Sequence, residues 1–146
     1  MKQVKKILFP IDFASNFEPL VPWVSTLAGK FEATVYVLFV AQDLAHFASF
    51  YVPHGNIEEF QQQAIDSATK RMAAAVEEFG KKFPKVETRV ELGVPAEKIL
   101  AFAEKEKIDM IVMGAHGRTG LERAIFGSVA NKVVKSAPCP VLTIHP

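Results

Sequence analysis

Ile108-Asp-Met-Ile-Val-Met-Gly114-Ala-His-Gly117-Arg-Thr-Gly120 is an apolar run that breaks into closely spaced glycines, and Gly127-Ser128 follows after a short gap. The apolar run reads as a buried strand, and the segment Val129–Ala137 behind Gly127-Ser128 repeats apolar residues at helical spacing. A glycine-rich turn between strand and helix lets a ligand approach main-chain N–H groups without meeting a Cβ. The helix start adds unpaired N–H groups and a partial positive charge, which suit an anion. The dipole contributes only about 0.3–1 kcal/mol, against roughly 1.5–3 for each hydrogen bond to a charged group, so several N–H contacts outweigh it. The stretch predicts a strand–loop–helix unit that cradles phosphate.

Outward from this unit, strand and helix signals alternate. Val4–Ile11, Thr34–Val40, Val86–Leu92, Ile108–Met113 and Val141–Ile144 are short, apolar and bounded by breakers. Ile7-Leu-Phe9, Val37-Leu-Phe-Val40 and Ile111-Val-Met113 are continuous rather than alternating, as in strands covered on both faces. Between them, Glu58–Phe79 carries Phe60, Ala64, Ala68, Met72, Val76 and Phe79 on one stripe. Pro95 suits the first turn of a helix carrying Ile99, Leu100 and Ala103. Strands alternating with helices predict an α/β fold, a five-stranded parallel sheet with right-handed crossovers. No internal repeat, linker or low-complexity tract interrupts the 146 residues, which fit one domain, 1–146.

Composition narrows the partners. Seventeen Lys and Arg stand against sixteen Asp and Glu, a balance that argues against nucleic acid or an anionic membrane surface as the main partner. No run approaches the ~18 apolar residues of a spanning helix, and the start lacks a secretory pattern. The one cysteine, Cys139, precludes an internal disulfide and fits a reducing compartment. A cytoplasmic protein is the expectation.

The loop is neither of the two familiar phosphate motifs. No glycine is followed by the Lys-Ser or Lys-Thr of a Walker A loop, and G-x-G-x-x-G is absent after the first strand. The spacing present is G-x-x-G, nine residues, then G-S. This spacing resembles the nucleotide-binding motif of the universal stress protein family. So do Lys6-Ile-Leu-Phe-Pro-Ile-Asp12, Leu92-Gly-Val-Pro95 with Ile99, Ile108-Asp-Met-Ile-Val-Met-Gly114 and Ala137-Pro-Cys-Pro-Val-Leu-Thr143, so the likeness covers nearly the whole chain. Pro19 and Pro22 depart from the family's usual helix formers and leave open where the first helix begins.

The resemblance implies a doubly wound, Rossmann-like domain with strand order 3-2-1-4-5 and helices on both faces. It implies membership of the ATP-binding subgroup, with ATP as the ligand and Mg or Mn carried on its phosphates. By the same resemblance, Pro10, Asp12 and Val40 lie at the adenosine end. Val40 reads the adenine edge through its backbone, and Asp12 lies near the ribose or a phosphate-bound metal. Gly114, Gly117, Gly127, Ser128 and Val129 take the phosphates. Family members commonly pair through the last strand, which implies a homodimer.

Other residues keep two readings. Asp12 also suits a cap on the following turn, and Ser128 a helix N-cap. Arg118 and Arg123 flank the loop, either to meet phosphate oxygens or as solvent-facing charge. His116 lacks the partnered nucleophile of a general base. His46 and His54 come from one segment without tight metal spacing, and the aromatic-rich connection around them suits a cover over ligand or an interface. Cys139, between Pro138 and Pro140, has no catalytic pattern. With these residues so read, the resemblance implies a nucleotide-linked regulatory module without rapid turnover. A slow ATPase or phosphotransferase and a dimeric assembly module are the alternatives.

Overall fold

The computed structural model describes residues 1–42, 56–116 and 126–146 of the chain. Its strands are β1 (Lys6–Ile11), β2 (Thr34–Gln42), β3 (Lys85–Gly93), β4 (Met110–Gly114) and β5 (Val141–Ile144). All neighbours are parallel, and the sheet runs β3-β2-β1-β4-β5. This is the order that the family resemblance implies, and it turns back on itself between β1 and β4. Parallel neighbours require crossovers, which among the described residues include α1 (Val21–Phe31), α2 (Ile57–Phe79), α3 (Pro95–Lys105) and α4 (Ser128–Ser136).

The continuous apolar runs are covered on both sides, as expected. Ile7, Phe9, Val35 and Val37 point to one face, against Val24 and Ala28 of α1 and Met72 and Phe79 of α2. Leu8, Leu38, Ile111 and Met113 point to the other, against Ile99 and Phe102 of α3 and Ala130 and Val133 of α4. Each such fully buried side chain contributes roughly 1.5–3 kcal/mol. β3, at one edge, is only partly buried and alternates Glu87, Arg89 and Glu91 with Val86 and Val90, a charged rim that discourages edge pairing.

Several boundaries differ from the sequence expectation, for physical reasons. β1 begins at Lys6 rather than Val4, and β4 at Met110 rather than Ile108. Between them the Asp109 carboxylate accepts the N–H groups of Lys5 and Lys6 at 2.9 and 3.0 Å, so a side chain replaces the first ladder bonds. Pro19 and Pro22 are accommodated near two helix starts: Pro19 is the second residue of a short 3₁₀ turn at Glu18–Leu20 that runs into α1, and Pro22 lies in the first turn of α1. Neither position needs an N–H donor. The α2 stripe is buried at Ala68, Met72 and Phe79, but Phe60 is 40% exposed. At about 1.5 Å per residue, this helix outruns the roughly 30 Å of a nine-residue strand beneath it.

Among the described residues, no helix is long and apolar enough to cross a membrane.

Candidate nucleotide-binding cleft

A crevice opens where β1 and β4 part, and Pro10 explains the parting. Lys5's carbonyl accepts the Thr34 N–H and Lys6's accepts the Asp109 N–H, each at 2.9 Å. Odd-numbered residues of β1 thus face β2, and even-numbered ones face β4. Pro10 falls on the β4 side and has no N–H to give. Pairing between β1 and β4 stops at Leu8↔Ile111, while β1–β2 continues to Ile11↔Phe39 and β4–β5 to Gly114↔Ile144.

The end of β2 forms one wall. The same alternation directs even-numbered residues of β2 towards β1. The next pair in register would be Asp12↔Val40, and it is not made, because the chain turns away at Asp12. There Ala14 N–H donates to Asp12 Oδ1 at 2.9 Å, and Ser15 donates its N–H and its hydroxyl to the Asp12 carbonyl, both at 3.1 Å. β2 nevertheless runs on beside β3 to Gln42↔Gly93. Among the described residues, Val40's carbonyl and Gln42's N–H are left on the β1 side with no strand beside them.

The start of α4 forms the opposite wall. Gly127 donates its N–H to the Ala115 carbonyl at 2.8 Å, which ties the helix to the end of β4. The first intrahelical bond runs from Asn131 N–H to Gly127 O at 2.9 Å. The N–H groups of Ser128, Val129 and Ala130 therefore have no intrahelical partner, and these residues line the crevice. Gly127 itself is the N-cap, and Ser128 is the first helical residue, so the capping reading of Ser128 does not hold.

The resulting cleft has a volume of about 300 Å³, at the lower end of the roughly 300–1,000 Å³ usual for small-molecule sites. Pro10, Asp12, Val40, Gly114, Gly127, Ser128 and Val129 all line it, so the described candidates converge on one place. Gly117, Arg118, Arg123, His46 and His54 lie outside the described residues. The middle of the cleft is apolar, between Leu38, Ile99 and Met113. Among the described residues, a Cβ on Gly114 would meet nothing nearer than His116 O at 3.5 Å and Leu20 Cδ2 at 3.6 Å. Packing among the described residues therefore does not demand glycine there.

Sequence reasoning did not single out Asn16, Gln42 or Pro146, which also line the cleft, nor His145, whose Nδ1 is 3.2 Å from His116 Nε2. Gln42 was legible in principle, two residues beyond Val40 on the same side of one strand. Among the described residues, no group of three or more His, Cys, Asp or Glu side chains is placed to hold a metal ion. Burial pushes the Cys139 thiol up from its usual range, and the negative charge of Asp109 adds to the effect. A protonated thiol fits the absence of a catalytic pattern around it.

Comparison with known proteins agrees with this architecture. The model of the universal stress protein family matches residues 3–145. Universal stress protein MJ0531 of Methanocaldococcus jannaschii is 38% identical over 143 residues, covering 96% of this chain and 81% of that protein. Universal stress protein MJ0577 of the same organism is 30% identical over 152 residues, covering 96% and 94%. The solved structure of MJ0577 aligns with a TM-score of 0.83 at 28% identity, covering 99% of this chain and 98% of that one. A universal stress protein from Archaeoglobus fulgidus, solved in complex with dAMP, shares the fold with a TM-score of 0.68 at 23% identity, covering 96% and 97%. With the family's pattern extending from residue 3 to residue 145, and relatives at 30% identity or more across 96% of its length, the chain belongs to the universal stress protein family.

Proposed function

We propose that the protein binds ATP, or a related adenine nucleotide, in this cleft and acts as a nucleotide-linked regulatory or stress-response module, with residues 1–146 serving as one binding unit. The observation that carries this reading is the pairing of two complementary backbone surfaces in one cleft. At one end are three helical N–H groups without intrahelical partners; at the other are a strand carbonyl and a strand N–H that the Asp12 turn leaves, among the described residues, without a neighbouring strand. Adenine offers an amino donor and a neighbouring ring acceptor, which match the Val40 carbonyl and the Gln42 N–H. The apolar wall of Leu38, Ile99 and Met113 suits the base between these ends. The N–H groups of Ser128 and Val129 suit phosphate, with Gly114 and Gly127 leaving the approach free of side chains. By the family resemblance Gly117 also belongs to the phosphate end, and Arg118 and Arg123 flank it in sequence, either to meet phosphate oxygens or as solvent-facing charge. The dAMP complex of the Archaeoglobus protein is an instance of this fold taking an adenine nucleotide.

Mg or Mn would arrive on the phosphates, with Asp12 as the nearest expected carboxylate. Asp12 keeps its turn at the same time, through the bond from Ala14 N–H. Phosphoryl transfer needs charge stabilisation around the γ-phosphate and a group that orients the nucleophile. This chain has no P-loop lysine, so turnover falls far below the ~10 s⁻¹ typical of enzymes and the nucleotide persists as a ligand. β5 lies at the sheet edge with Leu142 exposed, and a second copy of the chain covers it in a homodimer.

Mass spectrometry of the ligand released from native, undialysed protein tests the reading, together with phosphate release in the presence of Mg or Mn. An adenine nucleotide approaching one per chain, with slow release of phosphate, is expected. Protein that carries no nucleotide and takes up none when ATP is added would overturn it.

A further inference from the structure

The β4–β5 ladder ends by bringing two histidines together. Ala115 donates its N–H to the Ile144 carbonyl at 2.9 Å, and the next residue on each segment is a histidine. His116 Nε2 and His145 Nδ1 stand 3.2 Å apart, with ring centroids at 5.1 Å and planes inclined at 63°. Phe126 lies roughly parallel to the His145 ring, at 6.1 Å and 24°. His116 and the neighbouring Pro146 both line the cleft, at the end where α4 begins.

We propose that His116 and His145 chelate a divalent transition-metal ion of the zinc class, through His116 Nε2 and His145 Nδ1, beside the start of α4. Two nitrogens bound at about 2.1 Å to one ion, at 90–110°, lie about 3.0–3.4 Å apart, with ring centroids about 4.6–5.3 Å apart. Both observed distances fall inside these ranges. Both separations are therefore compatible with one ion between the two nitrogens. The protons balance: with His116 protonated on Nδ1 and His145 on Nε2, each ring stays neutral and turns a lone pair towards the ion. Without an ion, the same nitrogens share one hydrogen bond.

Neutral imidazole favours Zn²⁺, Ni²⁺, Cu²⁺ and Co²⁺, while Mg²⁺ prefers oxygen. Two protein ligands leave two positions of a tetrahedral ion for water or other small oxygen donors. His145 is exposed, so an ion reaches the pair from solvent. The site is distinct from any Mg or Mn carried on nucleotide phosphates, and it stands or falls on the metal alone.

The test uses untagged, chelator-treated full-length protein without nucleotide, titrated with Zn²⁺ by calorimetry and followed by ¹⁵N resonances of the imidazole nitrogens. One ion per chain is expected, shifting His116 Nε2 and His145 Nδ1 together, with Mg²⁺ producing neither effect. In separate His116→Gln and His145→Gln variants with unchanged thermal melts, affinity should fall by more than about tenfold, because the second imidazole binds at high effective concentration. Zinc binding of equal strength in the variants, or zinc binding that leaves these two nitrogens unshifted, would overturn the proposal. So would the absence of zinc binding by the parent protein. A protein that binds zinc here but no ATP would contradict the nucleotide reading and leave this one standing.

Discussion

Gly127 donates its N–H to the Ala115 carbonyl across 2.8 Å, so the N-terminus of α4 is fastened to the end of β4 by its own cap residue. Gly127 has φ −61° and ψ 158°, a conformation open to any residue. Gly127→Val should therefore fold while filling the approach to the helix N–H groups. ATP affinity should fall by about tenfold to a hundredfold, the equivalent of losing one hydrogen bond to a charged group. Gly114→Ala should act in the same direction with little change in melting temperature, given the ordinary contacts its Cβ would make. Ser128→Ala should cost less, since its backbone N–H remains. Calorimetric titration of the three folded variants ranks them.

Pro10 sets the width of the cleft. Pro10→Ala restores an N–H on the β4 side of β1, where the register would next pair it with the Val112 carbonyl. The β1–β4 ladder should lengthen, with unchanged or higher stability and weaker ATP binding. Amide exchange at position 10 reads this directly. Rapid exchange of the new N–H, with ATP affinity intact, would remove this account of the opening.

The backbone of β2 should select the base. A guanine ring places a carbonyl where adenine carries its amino group, and sets that carbonyl against the Val40 carbonyl. An unpaired buried polar group costs about 1–3 kcal/mol, so ATP should be preferred to GTP by roughly tenfold or more. Val40→Ala should retain the preference, because the side chain does not carry it. Competition between the two nucleotides for parent and variant measures both effects.

The β5 edge should join two copies. Leu142 is 38% exposed on a strand with no neighbour on its outer side among the described residues. Analytical ultracentrifugation should show a dimer that Leu142→Lys or Ile144→Lys shifts towards monomer. A concentration-independent monomer for the parent chain would dispose of the idea.

Much of this fold is legible in the sequence because its strands are buried on both faces. Ile7-Leu-Phe9 and Ile111-Val-Met113 have no polar residue to alternate with, and each run stops at a breaker or a turn. Strand order is a property of the assembled sheet, and only the family resemblance supplied it. Strand ends depended on side chains distant in sequence: Asp109 displaces the first ladder bonds of β1 from a hundred residues away. The lining of the cleft was legible at Gly114 and Gly127-Ser128, where glycines mark a close approach. It was not legible at Pro146, which enters through a register between β4 and β5 that no local pattern encodes. Pro10 was identified by resemblance alone, and its role in parting β1 from β4 required knowing which strand its nitrogen faces.

The central claim is that the cleft between β1 and β4 takes an adenine nucleotide against the N–H groups of α4. Calorimetric titration of nucleotide-free protein with Mg-ATP, alongside folded Gly127→Val, tests it most directly. The account predicts one ATP bound per chain by the parent and binding weakened about tenfold or more in the variant. No binding by the folded parent, or equal affinity in parent and variant, would contradict it.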